Sequence, residues 1–149
     1  MTNVNSTIHI NKPAAEVFAF IANPENNPQW QNGMVSCEIT SAGPLGIGST
    51  YAQHARFMGR DIVSQFEITR YEPGRLIRGD TVESSFPISF TRIVEPDEDG
   101  TGSHVRAIVT GDASGFYGAL LRPLTPLMNW MVGRSVRADY RRLKALLDQ

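Results

Sequence analysis

The sequence predicts an α+β fold in which a seven-stranded antiparallel sheet wraps around one long C-terminal helix. Three observations support this prediction. Short alternating runs separated by turn residues fill the segment 34–110, a helical period returns after Gly115, and short helical segments lie between the first strand and the others. The connections within the segment 34–110 are too short to contain crossover helices, so neighbouring strands there should run antiparallel.

The first strand and two short helices are predicted within residues 4–30. Apolar and polar side chains alternate from Val4 to Ile10, which is typical of a half-buried strand. Pro13 suits the first turn of a helix, and the apolar residues after it recur at the spacing of one helical face. This helix should end near Pro24, because the residue before a proline disfavours helical geometry. One or two further helical turns and a loop that ends at Trp30 should follow.

Six further strands are predicted in the middle of the chain. Glycine and proline clusters separate them as turn signals. The predicted strands are 35–42, 48–58, 61–72, 75–84, 86–95 and 103–112. Gly59-Arg60 is predicted to be a two-residue hairpin loop that pairs Met58 with Asp61, and this pairing determines which side chains share a face. One face then carries Tyr51, Gln53, Ala55, Phe57, Ile62, Ser64, Phe66 and Ile68.

A long C-terminal helix is predicted from Thr125, a candidate N-cap, with Pro126 at the first helical position. Apolar residues recur at spacings of three or four as far as Leu147, and basic residues mostly occupy the other side. An earlier start near residue 117, with a kink at the prolines, is a second interpretation. The helix should cover the apolar face of the sheet, because a twisted sheet does not leave such a face in water.

A sheet that grips one helix tends to leave space between the two, and mostly apolar side chains should line that space. The candidate ligand-binding residues are Trp30, Tyr51, Gln53, Phe57, Phe66, Phe90, Met128 and Met131. Core packing without a ligand is the alternative interpretation of each aromatic and methionine residue. Gln53 is the most informative candidate, because a buried amide needs hydrogen-bond partners that an apolar cavity does not offer.

Length, charge and cysteine content narrow the classes of function. A chain of 149 residues suffices for one domain, residues 1–149, whose core needs neither a disulfide nor a structural metal. The net charge of −1 argues against a nucleic-acid partner, since such binding usually requires a clustered basic excess. The N-terminus is polar and no apolar stretch is long enough to span a bilayer. We therefore expect a cytoplasmic monomer or homodimer without stable membrane insertion.

No catalytic, metal or cofactor site is predicted. Strand parity places His9, His54 and His104 on outward positions, where they should not converge on a metal or a nucleophile. Cys37 is the single cysteine, has no histidine beside it on the inner face, and should pack as a small hydrophobic residue. The glycines near residue 46 lack the spacing of nucleotide-binding loops, and the carboxylates at 97–99 lack that of calcium loops.

The order of strand, two short helices, six-stranded meander and long C-terminal helix resembles the helix-grip superfamily. This superfamily includes the polyketide cyclases and dehydrases, the START lipid-transfer domains and the major birch pollen allergen. The resemblance covers almost the whole chain. The segments that carry it are 10–21 (first strand and helix), 24–30 (the loop ending in tryptophan), 46–51, 59–60, 66–76, and 141–147 (the closing helix).

The resemblance implies a deep cavity for a hydrophobic molecule, although one fold hosts many activities. The leading hypothesis is a binding or carrier protein for a small hydrophobic or lipid-like molecule, without a cofactor. The alternative is an enzyme of the polyketide cyclase or dehydratase type that acts on an aromatic or polyketide-like substrate in the same cavity. Such an enzyme would need polar side chains in the cavity, and the only candidates near the interior of the sheet are Tyr51, Gln53, Ser64 and Arg78. A ligand-responsive interaction module is a third hypothesis.

Overall fold

The computed structural model describes residues 2–57, 59–83, 87–111 and 125–148. Seven strands, two α-helices and one 3-10 helix account for most of these residues. In chain order the elements are β1 (Thr2–Ile10), α1 (Ala14–Ile21), the 3-10 helix η1 (Pro24–Gln29), β2 (Met34–Ile39), β3 (Thr50–Phe57), β4 (Arg60–Glu72), β5 (Leu76–Glu83), β6 (Ile88–Pro96), β7 (Ser103–Gly111) and α2 (Thr125–Leu147).

All seven strands belong to one antiparallel sheet with the order β1-β7-β6-β5-β4-β3-β2. Strands β2 to β7 form the predicted meander, and β1 returns to pair with β7. The helices α1 and η1 lie between β1 and β2, as the sequence predicts. The predicted α+β fold, with a curled seven-stranded sheet and a long C-terminal helix, is therefore confirmed.

The β3–β4 hairpin differs from the prediction by two residues in register. Phe57 pairs with Arg60 and Arg56 pairs with Asp61, so both the predicted Gly59-Arg60 loop and the pairing of Asp61 with Met58 are wrong. Gly59, whose φ is +79°, is the second residue of the turn rather than the first. A left-handed φ at this second position favours glycine, and Arg60 therefore lies in the ladder.

A shift of two residues leaves every side chain on its predicted face, because the period of a strand is two. Tyr51, Ser64, Phe66 and Ile68 are buried on the inner face, as predicted. Ile62, at the same parity nearer the turn, is 45% exposed. The inner face is therefore covered along most of the hairpin but open near its turn.

Two short elements fold for local reasons. Pro13 precedes α1, and its carbonyl accepts the first hydrogen bonds of the helix from Glu16 N (3.0 Å) and Val17 N (3.1 Å). Asn23 caps η1 by accepting a hydrogen bond from Glu25 N at 3.1 Å. Both elements bury apolar side chains against the sheet, and full burial of one such side chain contributes about 1.5–3 kcal/mol.

Helix α2 begins at Thr125 and buries Tyr140, Leu143 and Leu147 in the core. The alternative start near residue 117 falls outside the described residues. The described helices include none that is long and apolar enough to cross a membrane.

Polar contacts fix the C-terminal half of α2 to the loops at one end of the sheet. Lys144 Nζ donates to His9 O at 2.8 Å, and Asn11 N donates to Asp148 Oδ1 at 2.8 Å. These contacts lie at the end of β1. They hold the helix across the inner face, which brings its apolar side chains to the sheet.

Candidate ligand-binding site

A row of aromatic rings crosses the inner face of the sheet. Tyr51 on β3 and Phe66 on β4 stack with ring centroids 5.2 Å apart and planes 7° apart. Phe66 also contacts Phe90 on β6, with ring centroids 5.9 Å apart. Three of the predicted site residues therefore form one apolar surface.

Gly79 allows this row to extend across β5. It lies between Ile68 on β4 and Phe90 on β6, and an ideal Cβ atom at this position would be 2.5 Å from Cε1 of Phe90. No real Cβ contact is that short, so the absence of a side chain lets the Phe90 ring lie over β5 towards Phe66. The sequence signal for this arrangement was a lone glycine within a strand, which often marks a close approach.

Trp30 joins the sheet layer to α2. Its side chain is fully buried, and its ring meets Tyr140 of α2 edge to face, with centroids 5.0 Å apart. Arg142 Nη1 donates to the Trp30 carbonyl at 3.1 Å. Trp30 therefore belongs to the core, and its ring also contacts the guanidinium of Arg92.

Arg92 on β6 is an inner-face residue that the sequence analysis missed. Only 6% of its surface is exposed, and its guanidinium carbon lies 4.6 Å from the ring centroid of Phe90 and 5.0 Å from that of Trp30. Nη1 donates to Ile21 O at 3.0 Å and to Asn27 Oδ1 at 3.5 Å. The parity that places Phe90 on the inner face also places Arg92 there, which is the signal that could have found it.

The environment of Arg92 compensates its charge only in part. The Ile21 carbonyl terminates α1, where the helix dipole favours a cation, and each cation–π contact adds about 0.5–2 kcal/mol. Nε of Arg92 is nevertheless buried without a hydrogen-bond partner in the described part of the chain, and so is Nε1 of Trp30. A buried unsatisfied donor costs about 1–3 kcal/mol.

Arg78, which the sequence analysis placed near the interior, lies on the outer face. Ile77 and Gly79 occupy the inner positions of β5, so Arg78 points away from α2. Its guanidinium donates from Nε and Nη2 to the Asp80 carboxylate, at 3.2 Å each. Arg78 is therefore no part of the site.

The remaining predicted site residues divide into two groups. Gln53 pairs with Cys37 and with Ser64 and is partly exposed on the inner face, and Met131 is half-buried on α2. The side chains of Phe57 and Met128 fall outside the described part of the structure. The contacts of these residues with a ligand stay predictions.

Burial keeps the thiol and the phenols around the aromatic row uncharged. It raises the pKa of the Cys37 thiol to about 11, which the Asn27 side chain and Arg92 oppose only in part. Burial also raises the pKa of the Tyr51 and Tyr140 phenols above their ordinary range. These groups are neutral near pH 7 and are poorly suited to act there as a nucleophile or a general base.

The histidines face outward as predicted, but two of them converge. His9 and His104 are directly paired on β1 and β7, and their ring centroids lie 4.9 Å apart. His9 Nε2 is also 3.0 Å from Asp97 Oδ2, whereas His54 separately contacts Asp61. The expectation that no histidines meet is therefore wrong for this pair, because the long-range register of β1 on β7 was not predicted. No group of three or more ligating side chains that could hold a metal occurs among the described residues.

A surface groove of about 260 Å³ runs between β1 and α2. Its walls come from both elements. The lining residues are Ser6, Thr7, Ile8, Arg137, Tyr140 and Arg141. The enclosed cavity expected between the sheet and the helix stays a prediction.

The whole chain matches one protein family. Residues 1–148 match the model described as polyketide cyclase / dehydrase and lipid transport. The chain belongs to this family. The resemblance drawn from the sequence is thereby confirmed. A comparison with curated proteins finds no match.

Solved structures of three relatives show the same fold as this family member. A START superfamily protein from Mycobacterium smegmatis superposes with a TM-score of 0.80 at 13% identity, covering 100% of this chain and 99% of that one. The ginseng major latex-like protein 151 from Panax ginseng gives 0.71 at 14% identity, covering 97% and 96%. The di-domain ARO/CYC BexL from the BE-7585A biosynthetic pathway gives 0.74 at 19% identity, covering 97% of this chain and 46% of that one. At these identities the likeness shows the fold alone.

Proposed function

We propose that this protein binds and carries a small hydrophobic or lipid-like molecule between the inner face of its sheet and helix α2. The observation that carries the proposal is the aromatic row formed by Tyr51, Phe66 and Phe90. Such a surface binds apolar molecules by burial and shape, without directional chemistry. The family description, which includes lipid transport, also supports the proposal.

The proposed contact residues come from four elements, β3, β4, β6 and α2, and from the loop at Trp30. Apolar side chains form most of the wall, and Gln53 supplies a polar contact. The proposed set is Trp30, Tyr51, Gln53, Phe57, Phe66, Phe90, Met128 and Met131. We further propose one domain over residues 1–149 that acts in the cytoplasm as a monomer or homodimer, without nucleic acid or stable membrane insertion.

A second candidate function is an enzyme of the polyketide cyclase or dehydratase type. Arg92 favours it, because a buried guanidinium stabilises an oxyanion that develops in a substrate. The neutral thiol and phenols around the site favour binding instead, since cyclisation and dehydration also need proton transfer. Turnover of an aromatic polyketide substrate by the purified protein, reduced at least tenfold in Arg92→Met, would establish the enzyme.

Thermal unfolding in the presence of ligand classes tests the carrier function. Fatty acids, sterols, quinones and aromatic polyketides are each added to the purified protein. A ligand present at about 100 times its dissociation constant adds about 2.7 kcal/mol of stability, which raises the melting temperature by several degrees. Unchanged melting temperatures with all four classes would refute the proposed function for these ligands.

A matched pair of variants locates the site. Phe66→Leu removes part of the aromatic row and should reduce the ligand-induced shift. Val63→Leu changes a side chain on the outer face of the same strand, which is 71% exposed, and should leave the shift unchanged. Equal shifts in both variants would place the ligand elsewhere.

A further inference from the structure

Arg92 carries a buried charge without an anionic partner. Its surface is 6% exposed, and within the described ranges no carboxylate oxygen lies within 4.0 Å of it. Removal of a guanidinium from water is costly unless a counter-charge and hydrogen bonds replace the lost hydration. A binding partner for the charge is the simplest reason to keep an arginine at this position.

Two unpartnered donors lie together in this region. Nε of Arg92 and Nε1 of Trp30 are both buried without an acceptor among the described residues. The guanidinium carbon lies 5.0 Å from the centroid of the Trp30 ring, so the two side chains that carry these donors are in contact and form one cluster. Phe90, 4.6 Å from the same carbon, connects this cluster to the aromatic row. Donors next to an apolar surface are suited to a molecule with an oxygen at one end and hydrocarbon elsewhere.

The neighbouring protein groups do not provide the missing anion. Asn27 and the Ile21 carbonyl accept hydrogen bonds from Arg92 and are neutral, and the buried Tyr140 phenol is neutral as well. Asp139 interacts with Arg92 through space without forming an ion pair, and its carboxylate accepts hydrogen bonds from Asn32 N at 3.0 Å and Arg142 Nη1 at 3.1 Å. A water molecule would satisfy a donor, but it would not neutralise the charge.

We propose that Arg92 and Trp30 bind an anionic oxygen of the ligand, so that the preferred ligands are hydrophobic acids. The proposal rests on the proposed carrier function and specifies its ligand class. A carboxylate or an ionised phenol supplies this oxygen, since both present a charged acceptor to a guanidinium. The hydrocarbon part then lies along Phe90, Phe66 and Tyr51.

Matched acid and methyl derivatives test the proposal. Dodecanoate is compared with methyl dodecanoate, and pentachlorophenol with pentachloroanisole, by titration calorimetry at pH 7.5. Each pair shares its hydrophobic body and differs in the anionic oxygen. The wild-type protein should bind at least one acid ten or more times more tightly than its methyl derivative. The pair that shows the preference identifies carboxylate or phenolate as the source.

Three variants connect this preference to the two donors. Arg92→Met should bind acid and methyl derivative within about threefold of each other. Trp30→Phe, which removes the Nε1 donor together with part of the indole ring and keeps an aromatic side chain at this position, should reduce the preference severalfold and keeps the test available if Arg92→Met does not fold. Arg78→Met, on the outer face of the adjacent strand, is the control and should keep the wild-type preference.

The outcomes separate this inference from the carrier function. Equal wild-type affinities for acid and methyl derivative in both pairs would overturn the anionic anchor and leave the carrier function standing. An acid preference that survives in both Arg92→Met and Trp30→Phe would overturn it as well. Failure of all four molecules to bind the wild-type protein would refute both proposals for these ligands.

Discussion

Replacing Gly79 by alanine should destabilise the protein by about 2 kcal/mol, because β5 has no room for a Cβ atom beneath the Phe90 ring. An ideal Cβ at this position lies 2.5 Å from Cε1 and 2.7 Å from Cζ of Phe90. The ring must therefore move away from β5. Phe66 and Arg92 both contact this ring, so the substitution disturbs the candidate site at its centre.

The magnitude follows from three contributions. Overpacking of this kind costs about 1–3 kcal/mol, and a weakened contact between Phe90 and Phe66 costs about 0.5–1.5 kcal/mol more. Reduced conformational freedom of the unfolded chain opposes these costs by about 0.4–1 kcal/mol. The difference is about 0.5–4 kcal/mol, with a midpoint near 2 kcal/mol.

Urea unfolding of five proteins, the wild type, Gly79→Ala, Gly46→Ala, Phe90→Leu and the double variant of Gly79→Ala with Phe90→Leu, measures this effect. Gly46→Ala is the control, because its Cβ would meet no atom within 4 Å, and the reduced freedom of its unfolded chain should make it up to about 1 kcal/mol more stable than the wild type. Phe90→Leu removes the clashing ring atoms. Gly79→Ala should therefore lower the free energy of unfolding less in a Phe90→Leu background than in the wild-type background. Wild-type stability of Gly79→Ala, or additive effects of the two substitutions within about 0.5 kcal/mol, would refute the close contact.

Three further predictions concern polar and titratable groups. Asp139→Ala should lower the free energy of unfolding in urea by about 0.5–1.5 kcal/mol, because the fold loses hydrogen bonds whose exposed donors, Asn32 N and Arg142 Nη1, can bind water instead, and a loss no larger than that of the exposed control Glu38→Ala would contradict this. Burial raises the pKa of Cys37 to about 11, so a disulfide reagent at pH 8 should label it only as the protein unfolds, and rapid labelling of the folded protein would oppose this prediction. The hydrogen bond with His9 lowers the pKa of Asp97 from 3.8 to about 2. The contribution of the ionised Asp97 to the stability of the fold is therefore complete above pH 3.8 and is lost as the pH falls towards 2. Asp97→Asn should therefore flatten the dependence of stability on pH in that window, and an unchanged dependence measured by urea unfolding would exclude this contribution.

The faces of the strands could be predicted from the sequence, because alternation with a period of two is a local property. Tyr51 and Phe66 were assigned to the inner face on this basis, Phe90 was predicted to line the same space, and the structure places all three there together. The register of the hairpin was harder to predict. It depends on whether Gly59 is the first or the second residue of the loop, and either choice gives the same two faces.

Arg92 and the histidine pair depend on tertiary contacts that the sequence pattern does not contain. A charged side chain at an inner position contradicts the hydrophobic pattern. The partners of Arg92 are the Ile21 carbonyl at the end of α1, Asn27 of η1 and the ring of Phe90, two positions earlier on β6. His9 and His104 lie 95 positions apart and meet only because β1 pairs with β7 in one particular register. Long-range pairing of this kind depends on the order of the strands in the whole sheet, in which β1 lies beside β7.

Contacts between a bound ligand and the protein would test the proposed binding site most directly. Nuclear Overhauser effects can be measured between the chain protons of dodecanoate and the side chains of the wild-type protein. The proposed site predicts contacts with the rings of Phe66 and Phe90 and none with Val63 on the outer face. Contacts restricted to Val63 or to other outer-face side chains, with none to the two rings, would contradict binding between the sheet and helix α2.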